Sequence, residues 1–368
     1  MTKEHKEHKK HVADWVINKA LRIYFDEGLT GEDVAKRLKR ENNVDIDPHA
    51  VSGWGQTARS KRSTRYLVDV DESYQTSFQL EAKERKVKRV VVAKSNCAED
   101  VASLGATELI ELMYAHRNQT EIHIGFAGGR TPSLLASVLA DRLATNQVDV
   151  TKIPKIINFH SLVGVLNQAD PGVDPNTYPL HFYSLPKEIR NRLRFRSYPC
   201  PGVVTHSEHK QLSTVMSIRK AMLFDKLDLA IVSCGHSGRS HNSFWDHINE
   251  TCQGDEKMED LWNQTMKILE ANGVLGDVAW QPVNANGVVN FAKPLPIWAA
   301  TMLNGKQLFE FTRRKGGKCL LLVAPCSSES CQEGTKGSLL RGIIGSANNF
   351  VTHVVMDLAT ARDYAKLL

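Results

Sequence analysis

The chain has 368 residues, 42% of them hydrophobic and 24% charged, which is the balance of an ordinary globular protein with room for two or three domains. No apolar run approaches the roughly 20 residues that a bilayer span needs. The start, MTKEHKEHKKH, has no apolar stretch of the secretory kind, so a cytoplasmic setting and no membrane partner are expected. The seven cysteines (97, 200, 234, 252, 319, 326 and 331) are odd in number and scattered. Cys326 and Cys331 flank SSES, which is no zinc spacing, so neither a disulfide framework nor a metal site is expected. Histidines 5, 8 and 11 fit a frayed polar start better than a metal site.

The net charge of +6 is uneven: residues 1–66 hold 14 lysines and arginines against 10 acids. Apolar residues at 12, 15, 16, 20, 23 and 24 form one stripe of an amphipathic helix, with Gly28 as a natural C-cap. Thr30 begins a second helix, with Asp33 placed as its capping-box partner. Asp47 as N-cap and Pro48 at the first helical position signal a third. Arg59, Lys61, Arg62 and Arg65 follow in GWGQTARSKRSTR with no acid among them, as in a binder of phosphate backbones. Three short helices with a basic third one point to a helix-turn-helix over residues 1–66. Its contacts to operator DNA are expected from His49, Ser52, Gln56, Arg59, Lys61 and Arg62. A plain helical dimerisation or capping unit is the alternative. It is supported by the connection ENNVDID, which is longer than the usual tight turn of a helix-turn-helix, and by Gly53 and Gly55, which each cost the would-be recognition helix about 1 kcal/mol relative to alanine.

Residues 67–86 are polar and mixed in charge and read as a partly helical linker. From 87 to 368, strand-like runs alternate with helical patterns: VKRVVVAK, EIHIGFAGG, KIINFHSLVGV, RFRSYP, LDLAIVSCG, KCLLLVAP and FVTHVVMD. A helix is expected from about Ala98 to Ala115, and another after GGRTP. This alternation predicts an α/β domain with a largely parallel sheet, whose ligands bind at the carboxyl ends of the strands.

Three loops qualify as that site. In FAGGRTP, Gly128 and Gly129 let the backbone approach an oxyanion, with Arg130, Thr131 and the following helix N-terminus adding charge, hydroxyl and dipole. No Gly-Lys-Ser/Thr follows and a dinucleotide fingerprint is lacking, so no cofactor is expected; a tight turn without ligand is the plainer reading. The second loop, IVSCGHSGRSHNS, carries Gly235. In the third, Lys336 stands before a helix. Asp357 closes the last strand, either as a helix cap or as a ligand contact.

The combination IYFDEGLTGEDVAKRL, GFAGGRTPSLLASVLA, YPCPGVV, LDLAIVSCG, GDVAWQPVNANG and KGSLLRGIIG…THVVMDLATA resembles the SorC family of sugar-responsive bacterial transcriptional regulators, colinearly from about residue 15 to 368. The resemblance implies an N-terminal helix-turn-helix and a Rossmann-like effector domain of the sugar-phosphate isomerase and deaminase type. It also implies a phosphorylated sugar as effector and a homo-oligomeric assembly, dimer or tetramer. Carried over by position, the phosphate loop falls on Gly128, Gly129, Arg130 and Thr131. The strand-end glycine falls on Gly235, the acidic pocket position on Asp277, the helix-start lysine on Lys336 and the final aspartate on Asp357. Asn284 and Asn286 stand where the family carries aspartates, and the GHSGRSHNS loop is richer in His and Arg. The leading expectation is a non-enzymatic, ligand-gated DNA-binding regulator. The alternative is a sugar-phosphate isomerase or deaminase with a helical appendage, using His236 and His241 for acid–base work.

Overall fold

In the central sheet, neighbouring residues of one strand face two different cores. Leu320 and Leu322 belong to one apolar cluster, Leu321 and Val323 to the other, and all four are 0% exposed. A parallel sheet covered on both faces needs such continuous apolar strands, which is why KCLLLV and its counterparts read as unbroken runs. The computed structural model describes residues 14–26, 30–60, 70–71, 74, 78, 86–166, 171–236, 243–314, 316–325 and 336–367. The chain separates into two compact units, Met1–Asp69 and Val70–Leu368.

The first unit contains α1 (Asp14–Asp26), α2 (Gly31–Asn42) and α3 (Pro48–Ser60). Ala20, Ile23, Val34, Leu38 and Val51 form its core. The caps are those expected: Thr30 accepts from the Asp33 amide at 3.3 Å and donates its hydroxyl to the Asp33 carboxylate at 2.7 Å. Asp47 Oδ1 accepts from the His49 amide at 2.9 Å. The C-cap proposed at Gly28 lies outside the described residues, as do the histidines at 5, 8 and 11. Where α2 crosses α3, a Cβ on Gly31 would stand 2.6 Å from both the Pro48 carbonyl oxygen and Ser52 Oγ. The crossing therefore admits only glycine.

The second unit begins with β1 (Arg89–Val92), α4 (Ala98–Ala115), β2 (Glu121–Phe126), α5 (Arg130–Ala144), β3 (Ile156–Ser161) and β4 (Leu193–Arg196). It continues through β5 (Val203–Thr205), α6 (His206–Val215), α7 (Ser217–Lys226), β6 (Leu229–His236), α8 (Ser243–Cys252) and α9 (Glu256–Ala271). The short strands β7 (Gly276–Val278), β8 (Gln281–Asn284), β9 (Gly287–Val288) and β10 (Ile297–Ala299) follow. The chain then forms α10 (Gly305–Arg313), β11 (Lys318–Val323), α11 (Gly337–Gly345), β12 (His353–Met356) and α12 (Leu358–Ala365).

The main sheet runs in the order β1-β12-β11-β6-β2-β3-β4, with every neighbouring pair parallel. These strands are the expected runs, and α4 has the expected bounds. Helices α4 and α5 cover one face; residues of α7, α10, α11 and α12 pack on the other. The hairpin β7-β8-β9 extends antiparallel from the end of β6, and β10 pairs with β5.

Within the segment read as a linker, the described residues are anchored to this unit. Val70 forms an antiparallel bridge with Ala93. Phe78, 2% exposed, packs its ring 4.2 Å from that of Tyr364.

Candidate functional site

From β2 the chain proceeds outward to β3 and β4, while from β6 it proceeds to β11 and β12 on the other side. The strand order reverses between β2 and β6, and a crevice opens at the carboxyl ends of such a pair. The residues just beyond these two strands therefore define the candidate site.

The β2 side is the FAGGRTP loop. Ala127 donates to the Ile231 carbonyl of β6 at 2.9 Å, which keeps the loop tied to its neighbour. Gly129 is the N-cap of α5 with φ +121° and ψ 160°, a conformation open to glycine but strained for any L side chain. A Cβ there would also lie 2.9 Å from Ser233 Oγ. Ser233 in turn donates its hydroxyl to the Gly128 carbonyl at 3.4 Å.

The Gly129 amide is taken within the chain: it donates to the Val173 carbonyl at 2.8 Å, and Tyr178 Oη donates to the Gly129 carbonyl at 2.9 Å. The excursion after β3 thus packs onto the glycine loop. Asp174, 3% exposed, shapes this excursion by accepting from the Leu166 amide at 3.2 Å and the Asn176 amide at 2.7 Å. In α5 the first-turn amides of Arg130 and Thr131 have no intrahelical acceptor by position, and Pro132 has no N–H. Within this first turn, the backbone donors left for an anion are these two. The Arg130 side chain is about half exposed and stands 3.8 Å from Glu99, whereas Thr131 is buried.

The β6 side carries Ser233, Cys234 and Gly235. Gly235 is paired with Asp277 of β7. Asp277, 4% exposed, accepts from the Trp280 amide at 3.2 Å and closes a hairpin in which Ala279 and Trp280 have φ of 49° and 66°. Two-residue hairpin turns of this kind favour Asn-Gly, so the Ala-Trp turn carries backbone strain at the edge of the crevice.

Lys336, the N-cap of α11, reaches across from the far side and donates Nζ to the Cys234 carbonyl at 2.9 Å. Burial pushes the Cys234 thiol up to about 11; Lys336 works against that shift, while Asp277 and Asp357 add to it. Cys234 is thus a neutral thiol at neutral pH. Its surroundings place the Lys336, Asp277 and Asp357 charges around one strand end.

Of the residues expected from sequence, the fold gathers Gly128, Gly129, Thr131, Gly235, Asp277 and Lys336 around the ends of β2 and β6. Asp357 is fully buried and caps α12, accepting from the Thr360 amide at 2.9 Å and the Thr360 hydroxyl at 2.7 Å. Its cap reading holds. Asn284 and Asn286 form the β8–β9 turn: Asn284 Oδ1 accepts from the Asn286 amide at 2.9 Å, and Asn284 Nδ2 donates to the Asn272 carbonyl at 3.1 Å. His236 ends β6, while His241 lies outside the described residues, and so do Cys326 and Cys331. Cys200, Cys234, Cys252 and Cys319 are free thiols. Sequence reading did not single out Ser233, Val173, Asp174 or Tyr178. The turn-rich DPGVDPNTYP marks a loop, but its packing partner is not a local property.

In the helical unit, His49 is exposed at the start of α3, whereas Ser52 Oγ faces the Gly31 crossing and donates to the Pro48 carbonyl at 3.3 Å. Ser52 is thereby engaged within the unit. Gln56 and Arg59 lie further along α3; Lys61 and Arg62 lie outside the described residues. Gly53 is exposed, and a Cβ on it would meet nothing within 4 Å.

No protein-family model matches the sequence, and no curated protein does. Among solved structures, the chain is similar to the full-length sorbitol operon regulator SorC from Klebsiella pneumoniae. The identity is 16% and the TM-score 0.53, over 95% of this chain and 99% of that one. It is also similar to a SorC family transcriptional regulator from Enterococcus faecalis, at 15% identity and TM-score 0.53 over 80% of this chain and 100% of that one. A sor operon regulator from Shigella flexneri matches at 15% identity and TM-score 0.51, over 79% and 98%. At these identities the shared property is the fold. No described helix is long and apolar enough to cross a membrane.

Proposed function

We propose that this chain is a sugar-responsive transcriptional regulator of the SorC type, in which the helical unit binds operator DNA and the α/β unit binds a phosphorylated sugar. The observation that carries the reading is the likeness to a full-length operon regulator over 95% of the chain, a span that includes the three-helix unit as well as the α/β unit. In support, Lys336 and the first turn of α5 bring positive potential to the ends of two adjacent strands, where a phosphate is well received.

The sugar phosphate would sit between the β2 and β6 ends, with its phosphate on the Arg130 and Thr131 amides and on Lys336, and its hydroxyls near Ser233 and Asp277. Lys336 would then exchange the Cys234 carbonyl for a phosphate oxygen, a stronger acceptor. A ligand that binds one arrangement of a homo-oligomer better than another shifts DNA affinity by its differential affinity alone. On α3, His49, Gln56 and Arg59, with Lys61 and Arg62 beyond, are the proposed DNA contacts.

Two measurements on the full-length chain test this reading. Selection of bound fragments from genomic DNA should enrich a defined site. Arg59→Ala with Lys61→Ala should weaken binding on all sequences and flatten its salt dependence, because phosphate contacts release counterions. A thermal-shift screen of hexose and pentose phosphates against their unphosphorylated parents should show stabilisation by a phosphorylated member only. Turnover of that sugar phosphate would instead make the protein an enzyme on this fold. Failure to enrich any fragment at low salt would remove the regulator reading.

A further inference from the structure

A cavity of about 590 Å³ lies in the α/β unit, and none of Gly128, Gly129, Ser233, Gly235, Asp277 or Lys336 is in its wall. The wall is drawn from α6 to α9, the β7–β8 turn, β8, β10 and the start of α10. Four of the chain's six tryptophans, Trp245, Trp262, Trp280 and Trp298, line it. Such a volume suits a small organic ligand, and aromatic walls favour a flat apolar body.

The charge in this wall is one-sided. Lys220 and His209 are its basic groups, and among the described residues no aspartate or glutamate contributes. Burial lowers the Lys220 pKa, and the group working the other way is the Cys200 thiol rather than a carboxylate. His209 stacks on Trp298 at 4.9 Å and 17°. Its pKa is lowered by burial, then by Lys220 and His206, so it is neutral at neutral pH. A half-buried ammonium with no carboxylate beside it in the wall, among the described residues, calls for an acceptor that this chain does not provide.

We propose that this cavity is a second ligand site, which takes a monoanionic carboxylate carried on a flat, largely apolar ring. The ring lies among the indoles and the carboxylate pairs with Lys220. One cation matches one negative charge, whereas a phosphate dianion would leave a charge uncompensated against apolar walls. The proposal concerns loops and helices other than those of the sugar-phosphate reading, and either can fail alone.

The test is calorimetric titration of the full-length protein with 1-naphthoate and with its uncharged counterpart, 1-naphthamide. Naphthoate is expected to bind at least about tenfold more tightly than the amide. Lys220→Met should abolish that preference and Lys220→Arg should keep it. Lys220→Gln, which keeps a polar head and removes the charge, should lose the same preference and serves if Lys220→Met fails to fold. Lys336→Ala should leave naphthoate affinity unchanged. The proposal is overturned if naphthoate does not bind, if Lys220→Met retains the preference, or if inorganic phosphate displaces naphthoate.

Discussion

Lys336 Nζ donates to the carbonyl oxygen of Cys234 at 2.9 Å, joining positions 102 apart in the chain across the carboxyl end of the sheet. The lysine holds the β6 end to the N-terminus of α11 and is also a cation at the crevice. Its two roles are separable. Lys336→Ala should lower affinity for the best-screening sugar phosphate roughly ten- to a hundred-fold, since a charge-assisted bond is worth about 1.5–3 kcal/mol. Basal DNA binding should persist. Calorimetric titration against the variant checks this, and unchanged affinity would return the lysine to a structural role only.

Gly129→Val meets two obstacles: the φ of +121° and the 2.9 Å approach of its Cβ to Ser233 Oγ. A side chain held in a sparsely populated backbone region costs of order 1–3 kcal/mol. Gly129→Ala should therefore lower the urea midpoint of the α/β unit. Ser233→Ala introduced with it should recover only the part due to the clash, so the double variant will be non-additive but still below wild type.

Two glycines of the helical unit, Gly31 and Gly53, should respond in opposite directions. Gly31→Ala puts a Cβ 2.6 Å from the backbone of α3 and should unfold the unit or force its helices apart. Gly53→Ala enters open space on a helix and should stabilise the unit by about 0.4–1 kcal/mol through the unfolded chain's lost freedom. Thermal melts of the two variants give the comparison directly.

Where the α/β unit is cut should matter. A fragment starting at residue 87 loses the Val70–Ala93 bridge and the Phe78 ring against Tyr364, and a buried phenylalanine removed to alanine alone costs about 3–5 kcal/mol. The fragment 70–368 should be folded and, as proposed for the whole protein, oligomeric by light scattering. The shorter one should melt markedly lower. Equal melting temperatures would show that Phe78 contributes little.

Acid should destabilise the protein through two histidines, one buried and one partly buried. His353 is held down at about 4 and His160 at about 3, in both cases first by burial and then by nearby positive charge. Below pH 6.5 the unfolded chain binds protons that the folded chain refuses, so stability present above 6.5 is lost as pH falls towards those values. Each histidine contributes a slope of up to about 1.4 kcal/mol per pH unit. Glu108, raised by burial, binds its proton earlier in the folded state and opposes the loss only nearer the carboxylate range. His353→Asn, whose amide can replace Nδ1 beside Thr352, should flatten the dependence of melting temperature on pH between 6.5 and 5.

The strands of the main sheet, the bounds of α4, and the caps at Thr30 and Asp47 were determined by the sequence alone. Each depends on periodicity or on side chains within about four residues of the backbone group they satisfy. Other features were decided by tertiary structure. The strands β7 to β9 are two to four residues long, too short to show a period, and the turn at Ala279 and Trp280 lacks the usual Asn-Gly signal. The Gly129 amide reads locally as an anion donor, yet a carbonyl 44 positions away takes it. Lys336 finds its acceptor on a strand it meets only through the sheet order, and four tryptophans spread from 245 to 298 become one wall. Such pairings follow from which buried surfaces fit together, a free energy summed over contacts between distant segments, and no short window of residues contains it.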